Sequence, residues 1–481
     1  MTANIQRLIA LNDIVGKEYV KSETTILSDY SIEGVIPWAV VFPENTEQVS
    51  EIVCLARKEN LAMVPWGSGS KMTKGNAPSR MDIVICTKRL NKVVDMDTAN
   101  LTVTVQAGGK FKDIQAALAS QENRCYQPFE NSMQMSDQEV CFELENKGCF
   151  IPMMPPHSQT ATMGGIIAAN SNGPTRLLYG LPRDMLLGVQ YVSPSGEIIG
   201  MGGKTVKNVS SFDICKLMIG SMGTLGILCE MTLRLLPLPE RKGTFLSIFG
   251  SLAEASVFVE KILTTSLLPA AIELLNSKAC EFLTLDGAEL FKNNHYVVAV
   301  AMEGFEEAVD RMSSEIRQMA SESGTKKNIF LQKDAQSLLW DAYSNLFARA
   351  YELYPHTVST KLNYPISRYA EIIELVESLT SDKAVEYALL THAGSGITTI
   401  HFLIKKDNEK TADDTVMIIK KLLNYCQEIE GNLVIEKAPY KLMPRLPIWG
   451  VPTQGLKVMK WIKQQIDPLG LFCPGRFVGD I

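Results

Sequence analysis

The sequence predicts an α+β fold in at least two packed bodies: a first half of mixed strands and helices broken by glycine loops, and a second half of the ferredoxin-like α+β kind. Three observations carry this expectation. From Ala39, the text AVVFPENTEQVSEIVCLARKENLAMVPWGSGS reads as strand, helix, strand and glycine loop. A composition shift at LRLLPLPERKG, with two prolines and a charge cluster, sets a boundary near Leu238. Beyond it, strands and helices alternate with links that suit antiparallel pairing.

Val40, Val41 and Phe42 make the first apolar strand; Pro43 and Asn45 then open a helix with Val49, Ile52, Val53 and Ala56 on one face. A short strand over 62–65 runs straight into Gly67. DIVICT is the next strand, KVVDMD and LTVTVQAG form a hairpin about a Thr-Ala-Asn turn, and FKDIQAALAS is an amphipathic helix. Residues 120–150 are polar, hold Cys125, Cys141 and Cys149, and read as an inserted excursion. ILCEMTLRLL is a strong strand. After the boundary, TFLSIFG, HYVVAVAMEG, TKLNYPI, ALLTHAGSG and TTIHFLI read as strands, with helices LAEASVFVEKILTT, FEEAVDRMSSEIRQMA and ISRYAEIIELVESL between them. The expected division is 1–238, 239–430 and a closing segment 431–481 ending in DPLGLFCPGRF. No internal repeat is visible in the text.

Composition narrows the function. The chain of 481 residues is 46% hydrophobic and 21% charged, the balance of a soluble globular protein. A formal charge of -6 argues against a broad nucleic-acid surface, which needs clustered Lys and Arg. No segment approaches the roughly 20 apolar residues of a membrane span, and the N-terminal apolar run is too short and interrupted for a signal peptide. The ten cysteines include no CxxC pair, so reduced, unligated thiols in a cytoplasmic protein are expected.

Three glycine clusters abut strands. In VPWGSGSKMTKG, Gly67 and Gly69 allow backbone N–H groups to converge on an anion, or simply make a turn. In PPHSQTATMGGIIAANSNGPTRLLYG, Thr162, Gly164 and Gly165 offer further donors, while Ala168 and Ala169 allow close approach of a flat ring; tight helix packing is the alternative. The third cluster holds Gly220, Gly223 and Gly226. Together they suggest one extended ligand, for which a dinucleotide is the natural candidate.

In this order, and with the closing DPLGLFCPGRF, the motifs resemble the vanillyl-alcohol-oxidase (PCMH) type of FAD-binding flavoproteins over nearly the whole chain. The resemblance implies a two-subdomain FAD-binding domain and a ferredoxin-like cap over the flavin. It implies FAD contacts from Pro65, Trp66, Gly67, Ser68, Gly69, Ser70 and Lys71 and from Pro155. Thr162, Met163, Gly164, Gly165 and Gly173 belong to the second implied segment. Gly223, Gly226 and Ile227 would lie near the adenosine, and Cys473 in the returning C-terminus. Val64 to Asn76 holds no histidine for a covalent tether, so noncovalent FAD is expected. TVKNVSSFDICKLMIGSMGTLGI and the tail from IWG are most similar to the glycolate oxidase and D-lactate dehydrogenase branch, in particular the smaller FAD-binding subunit of glycolate oxidase.

Catalytic members of that branch carry HAGDGNLH and a downstream Glu-His-Gly that hold a metal over a 2-hydroxy acid. Here HAGSGITT keeps His392, but Ser395 stands for Asp, Ile397 for Asn and Thr399 for the second histidine. Strand alternation puts His401 on the side of Thr399, so a shift of one pair would let it stand in. Downstream, Glu436 is present, but Lys437 replaces the histidine; in WDAY, Tyr343 takes the place of a carboxylate-binding arginine. The candidate catalytic residues are His392 and Glu436, and no metal is expected.

The reading favoured is an FAD-binding subunit of a 2-hydroxy-acid dehydrogenase complex, relaying electrons between its flavin and the redox centres of a larger FAD subunit, an iron–sulfur subunit or both. It would be cytoplasmic or membrane-associated through those partners, with the 120–150 excursion as a docking surface. A self-sufficient dehydrogenase holding substrate through Lys441, Arg445 or Lys361 is the alternative, although solvated surface charge is the expectation for those three. A third reading is an assembly subunit in which FAD only stabilises the fold.

Overall fold

The computed structural model describes residues 2–121, 148–204, 212–283, 295–405 and 408–481. Most of the 120–150 excursion, with Cys125 and Cys141, lies outside the described residues, as does TVKNVSS at 205–211.

Ala39–Val41 and Met63–Trp66 both run parallel to Ile83–Cys86, which separates them in a four-stranded sheet edged by Val20–Lys21. Helix Thr46–Lys58 begins where Asn45 accepts a hydrogen bond from the Gln48 N–H, a cap contributing about 1 kcal/mol. Its Val49, Ile52, Val53 and Ala56 are all completely buried; each of the three larger side chains stabilises the packing by roughly 1.5–3 kcal/mol. A five-stranded antiparallel sheet follows in the order Val93–Asp97, Thr102–Gln106, Ile227–Arg234, Leu186–Val192, Ile198–Gly202. Its central strand leads out of the third glycine cluster and so places Gly223 and Gly226 beside the first loop. The C-terminus returns to the same place, with the Met63 N–H donating to the Leu471 carbonyl and the Cys473 N–H to that of Met63.

The second half is one eight-stranded antiparallel sheet. Arg241–Phe249, Ala271–Asn276, Tyr296–Gly304 and Lys327–Gln332, with helices Leu252–Leu263 and Glu306–Glu322, form one βαββαβ unit. Val358–Asn363, Glu386–His392, Ile397–Leu403 and Asn432–Lys437, with Tyr369–Thr380 and Glu409–Glu428, form another. Each unit has the strand order fourth, first, third, second, and the two second strands pair at the seam. The expected ferredoxin-like body is therefore doubled, a repeat the text does not show because the copies share order and period rather than residues.

The four helices bury one face of this sheet, through residues such as Phe249, Phe258, Ile316, Ile372 and Ile419. Helices Lys333–Ser344 and Leu346–Leu353 join the two units and cover the other face, where Leu275, Ala388 and Leu390 meet Trp340, Tyr343 and Leu346. Met154 and Leu178 of the first half pack onto that same face. The site forms in the gap beside them.

Candidate active site

A strand turns alternate side chains to one face. In Ala271–Asn276 that rule puts Glu273 on the side facing the first half, and in Glu386–His392 it does the same for His392; the two are directly opposite across the seam. His392 Nδ1 lies 2.6 Å from Glu273 Oε1, and the Tyr343 hydroxyl donates to Oε2 of the same carboxylate. Glu273 is completely buried, with the Arg176 guanidinium nearby. A carboxylate on Nδ1 fixes the tautomer: Nδ1 carries the hydrogen and Nε2 is left as an acceptor. His392 lines a cavity of about 400 Å³.

That cavity is walled by both halves. From the first come Ser70, Lys71, Lys74, His157, Ala169 and Gly173; from the second, Tyr343, Phe347, Tyr351, Ser359, Lys361, Leu390, His392, Thr399, Glu436 and Lys437. Lys361 and Thr399 face each other across neighbouring strands. Lys74 Nζ is 3.6 Å from Glu436 Oε1, and Lys71 Nζ donates to the Pro156 carbonyl at 2.9 Å. Burial pulls Glu436 up, but Lys74, Lys361 and Lys71 outweigh it and hold the carboxyl at about 2. Burial drives Lys71 and Lys361 down to about 8 against the attraction of Glu436. Burial, and then Lys71, bring His157 down to about 4, so this histidine is neutral.

A second, narrower cavity of about 80 Å³ meets the first at Lys71 and Ala169. Three features of the two cavities and the loop beside them fit an extended dinucleotide. Among the described residues, the amides of Ser68, Gly69 and Ser70 donate to no protein acceptor, leaving a row of free N–H groups. A Cβ on Gly67 would lie 2.2 Å from Thr162 Oγ1, and one on Gly173 2.0 Å from the Met154 carbonyl, so only glycine permits this closeness. Ser221 Oγ is buried in the lining with no partner among the described residues. The Met163 and Gly164 amides differ from expectation, since they donate to Gly109 and Ala107 carbonyls. The Gly165 amide donates to Thr162 Oγ1, so within that turn the Thr162 amide alone is left without a protein acceptor among the described residues.

Of the expected cofactor positions, Pro65, Trp66, Gly67, Lys71, Gly164, Gly165, Gly223, Gly226 and Ile227 line the narrow cavity, and Ser70, Lys71 and Gly173 the wide one. Ser68, Gly69, Pro155, Thr162, Met163 and Cys473 line neither. Thr162 Oγ1 caps the helix Met163–Ala168 by accepting from Gly165, Met163 is core, and Cys473 packs behind Gly223. His392 and Glu436 line one cavity, as the pairing of catalytic candidates requires.

The expectation for Lys361 is corrected, and the alternative in which His401 stands in finds no support. His401 does share a face with Thr399, but it is completely buried outside the cavity lining, with Nδ1 2.6 Å from Ser359 Oγ and its ring 3.9 Å from that of Phe347. Burial drives it down to about 3, which keeps it neutral. Lys361 is in the cavity wall rather than on the surface, because strand register turns it inward; Arg445 is the exposed partner of Asp413, and Lys441 is exposed. Tyr343, at the position of the lost arginine, donates its hydroxyl to Glu273. Sequence reasoning missed Glu273, His157, Lys74, Tyr351 and Arg476. Arg476 is only 2% exposed and donates to the Met72, Lys74 and Asn76 carbonyls, fixing the first glycine loop.

Residues 37–132 and 136–202 match the family described as FAD binding domain, and residues 238–477 that described as FAD linked oxidases, C-terminal domain. The chain belongs to these FAD-linked oxidases, with an FAD-binding domain of the PCMH type, and FAD is its cofactor. It is 27% identical to glycolate oxidase subunit GlcD of Bacillus subtilis, over 92% of this chain and 89% of that one. Its identity to D-2-hydroxyglutarate dehydrogenase of Xanthomonas citri is 26%, over 98% and 96%. For D-lactate dehydrogenase of Archaeoglobus fulgidus it is 26%, over 92% and 91%. The fold is shared with substrate-bound p-cresol methylhydroxylase, with a TM-score of 0.73 at 15% identity over 98% and 96% of the chains. The protein is an FAD-dependent oxidoreductase of the glycolate oxidase, D-lactate and D-2-hydroxyglutarate dehydrogenase type.

Proposed function

We propose that this chain oxidises a small 2-hydroxy acid in the wide cavity and, as one subunit of a complex, passes the electrons to a partner's flavin or iron–sulfur centre. The carrying observation is the Glu273-oriented His392 opening on a cavity that adjoins the glycine cradle. His392 Nε2 accepts the proton of the substrate hydroxyl, and Glu273 stabilises the imidazolium that results. The lysines hold the substrate carboxylate, while Tyr343 keeps Glu273 in place. Bound FAD supplies the two-electron acceptor for the hydrogen on C2. The subunit role is supported by the Bacillus subtilis relative, which is a glycolate oxidase subunit by name. A cytoplasmic place with attachment through partners accords with it: among the described residues no helix is long and apolar enough to cross a membrane.

The departures at Ser395, Ile397 and Thr399 favour a second reading, in which this chain only relays electrons and its partner turns over substrate. Anaerobic mixing of the isolated FAD-loaded chain with glycolate, D-lactate and D-2-hydroxyglutarate separates them. Bleaching of the flavin's visible absorbance by one of these supports the proposal. Flavin that is reduced only when partner subunits are added supports the relay instead.

A further inference from the structure

Helix Leu456–Ile466 packs on the first half, yet none of its residues is fully buried. Ile462 and Ile466 lean on the core of the five-stranded sheet. Lys463 anchors the helix by donating to the Thr224 and Phe472 carbonyls and pairing with Asp467. The opposite face carries Lys457, Lys460, Trp461 and Gln464 at the spacing i, i+3, i+4 and i+7, with Val458 one turn behind Trp461, and all five are exposed. We infer that this face is a docking surface for an anionic lipid bilayer, on which the chain settles without crossing it. The inference is independent of which chain turns over substrate.

Trp461 is 62% exposed and Val458 58%; Val451 before the helix and Leu469 after it are exposed as well. Large apolar groups left in water gain from any surface that covers them. Lys457 and Lys460 make no ion pair among the described residues, and the one acid between 451 and 470, Asp467, is buried and taken by Lys463. Gly479 meets Leu456, so the exposed Asp480 beside it borders the helix start. Every exposed charge within 451–470 is therefore positive, in a chain whose formal charge is -6. An anionic surface attracts this face and repels the remainder, which sets the side that approaches. Size separates a bilayer from a protein. A stable protein interface takes roughly 20–30 residues a side and is depleted in lysine, whereas this is one face of an 11-residue helix whose cations are all lysine. A bilayer needs no more than that: indole and aliphatic groups enter the headgroup boundary, and lysine stems reach the phosphates.

Co-sedimentation of the FAD-loaded chain with vesicles of phosphatidylcholine, and with vesicles of phosphatidylcholine mixed with phosphatidylglycerol, tests the inference. The expected result is binding at least about tenfold stronger to the mixed vesicles, weakening as salt is raised. Trp461→Ser and, separately, the pair Lys457→Glu and Lys460→Glu should each lower that binding about tenfold, with FAD content and urea midpoint unchanged because these side chains are exposed. Trp461→Phe should keep most of it. Equal binding to the two kinds of vesicle, no binding to either, or variants that bind as the unaltered chain does would each overturn the inference. Co-elution with a purified partner subunit that Trp461→Ser abolishes, without vesicle binding, would overturn it in favour of a protein partner.

Discussion

Glu273 sits in AAIELLN, an otherwise apolar strand, and it is buried between His392 and Tyr343. A carboxylate placed there has to have partners, because an unpaired buried charge would shift its protonation or break the strand packing. That lone acidic letter was the signal available in the sequence; what it could not give was the register that puts His392 opposite. Glu273→Gln keeps the shape and removes the charge that stabilises an imidazolium. We expect the rate of flavin bleaching by the best 2-hydroxy acid to fall about 100-fold with FAD content unchanged, measured by anaerobic stopped flow. Lys361 makes a prediction in pH. Burial holds its folded value at about 8, below its usual 10.5, with Glu436 opposing the shift and Lys74 and Arg176 adding to it. Above pH 8 the ammonium is lost, so the affinity of the wide cavity for a 2-hydroxy acid carboxylate should decline there. Between 8 and 10.5 the unfolded chain binds more protons than the folded one, so the ligand-free protein gains stability as pH rises. Urea midpoints at both ends of that window should show a smaller gain in Lys361→Met.

At the scale of elements, the glycine loops and the helix behind them were legible because each has a local physical cause: the Asn45 cap, the period of Val49, Ile52 and Val53, and strands that end in glycine. The donors were less legible. Spare N–H groups in 68–70 and used ones at Met163 and Gly164 follow from hydrogen bonds to residues distant in sequence. Gly67→Ala brings a methyl to 2.2 Å from Thr162 Oγ1 and should displace the loop, lowering FAD affinity more than tenfold in a fluorescence titration. Adding Thr162→Ala removes that oxygen and should recover part of the affinity, which a general loss of folding would not. Arg476, 400 residues from Asn76 in the chain, closes the same loop from the C-terminus. Arg476→Ala strands three carbonyls and should lower unfolding stability by about 3 kcal/mol, read from urea titration. The motif DPLGLFCPGRF marked the return of the tail, but nothing local says that its arginine points inward.

Over the whole molecule, two βαββαβ units meet at the strands carrying Glu273 and His392, so the pair we propose to handle the proton belongs to neither unit alone. The joining helices supply Tyr343, Phe347 and Tyr351, and the first half supplies Lys71, Lys74 and His157. Sequence reasoning reached the fold class and the cofactor because the FAD motifs are contiguous. It reached only part of the candidate site, whose members come from at least five separate segments and whose inward direction depends on strand register. THAGSGITTIH illustrates this: one histidine faces the cavity and the other is sealed behind it, although both are in the same hairpin. The central claim is that His392 takes a substrate proton within this chain. Its most direct test is anaerobic bleaching of the isolated FAD-loaded His392→Asn variant, which retains a donor for Glu273 but has no base. With FAD content equal to the unaltered chain, we predict a rate at least about 100-fold lower for the same 2-hydroxy acid; an unchanged rate would contradict the account.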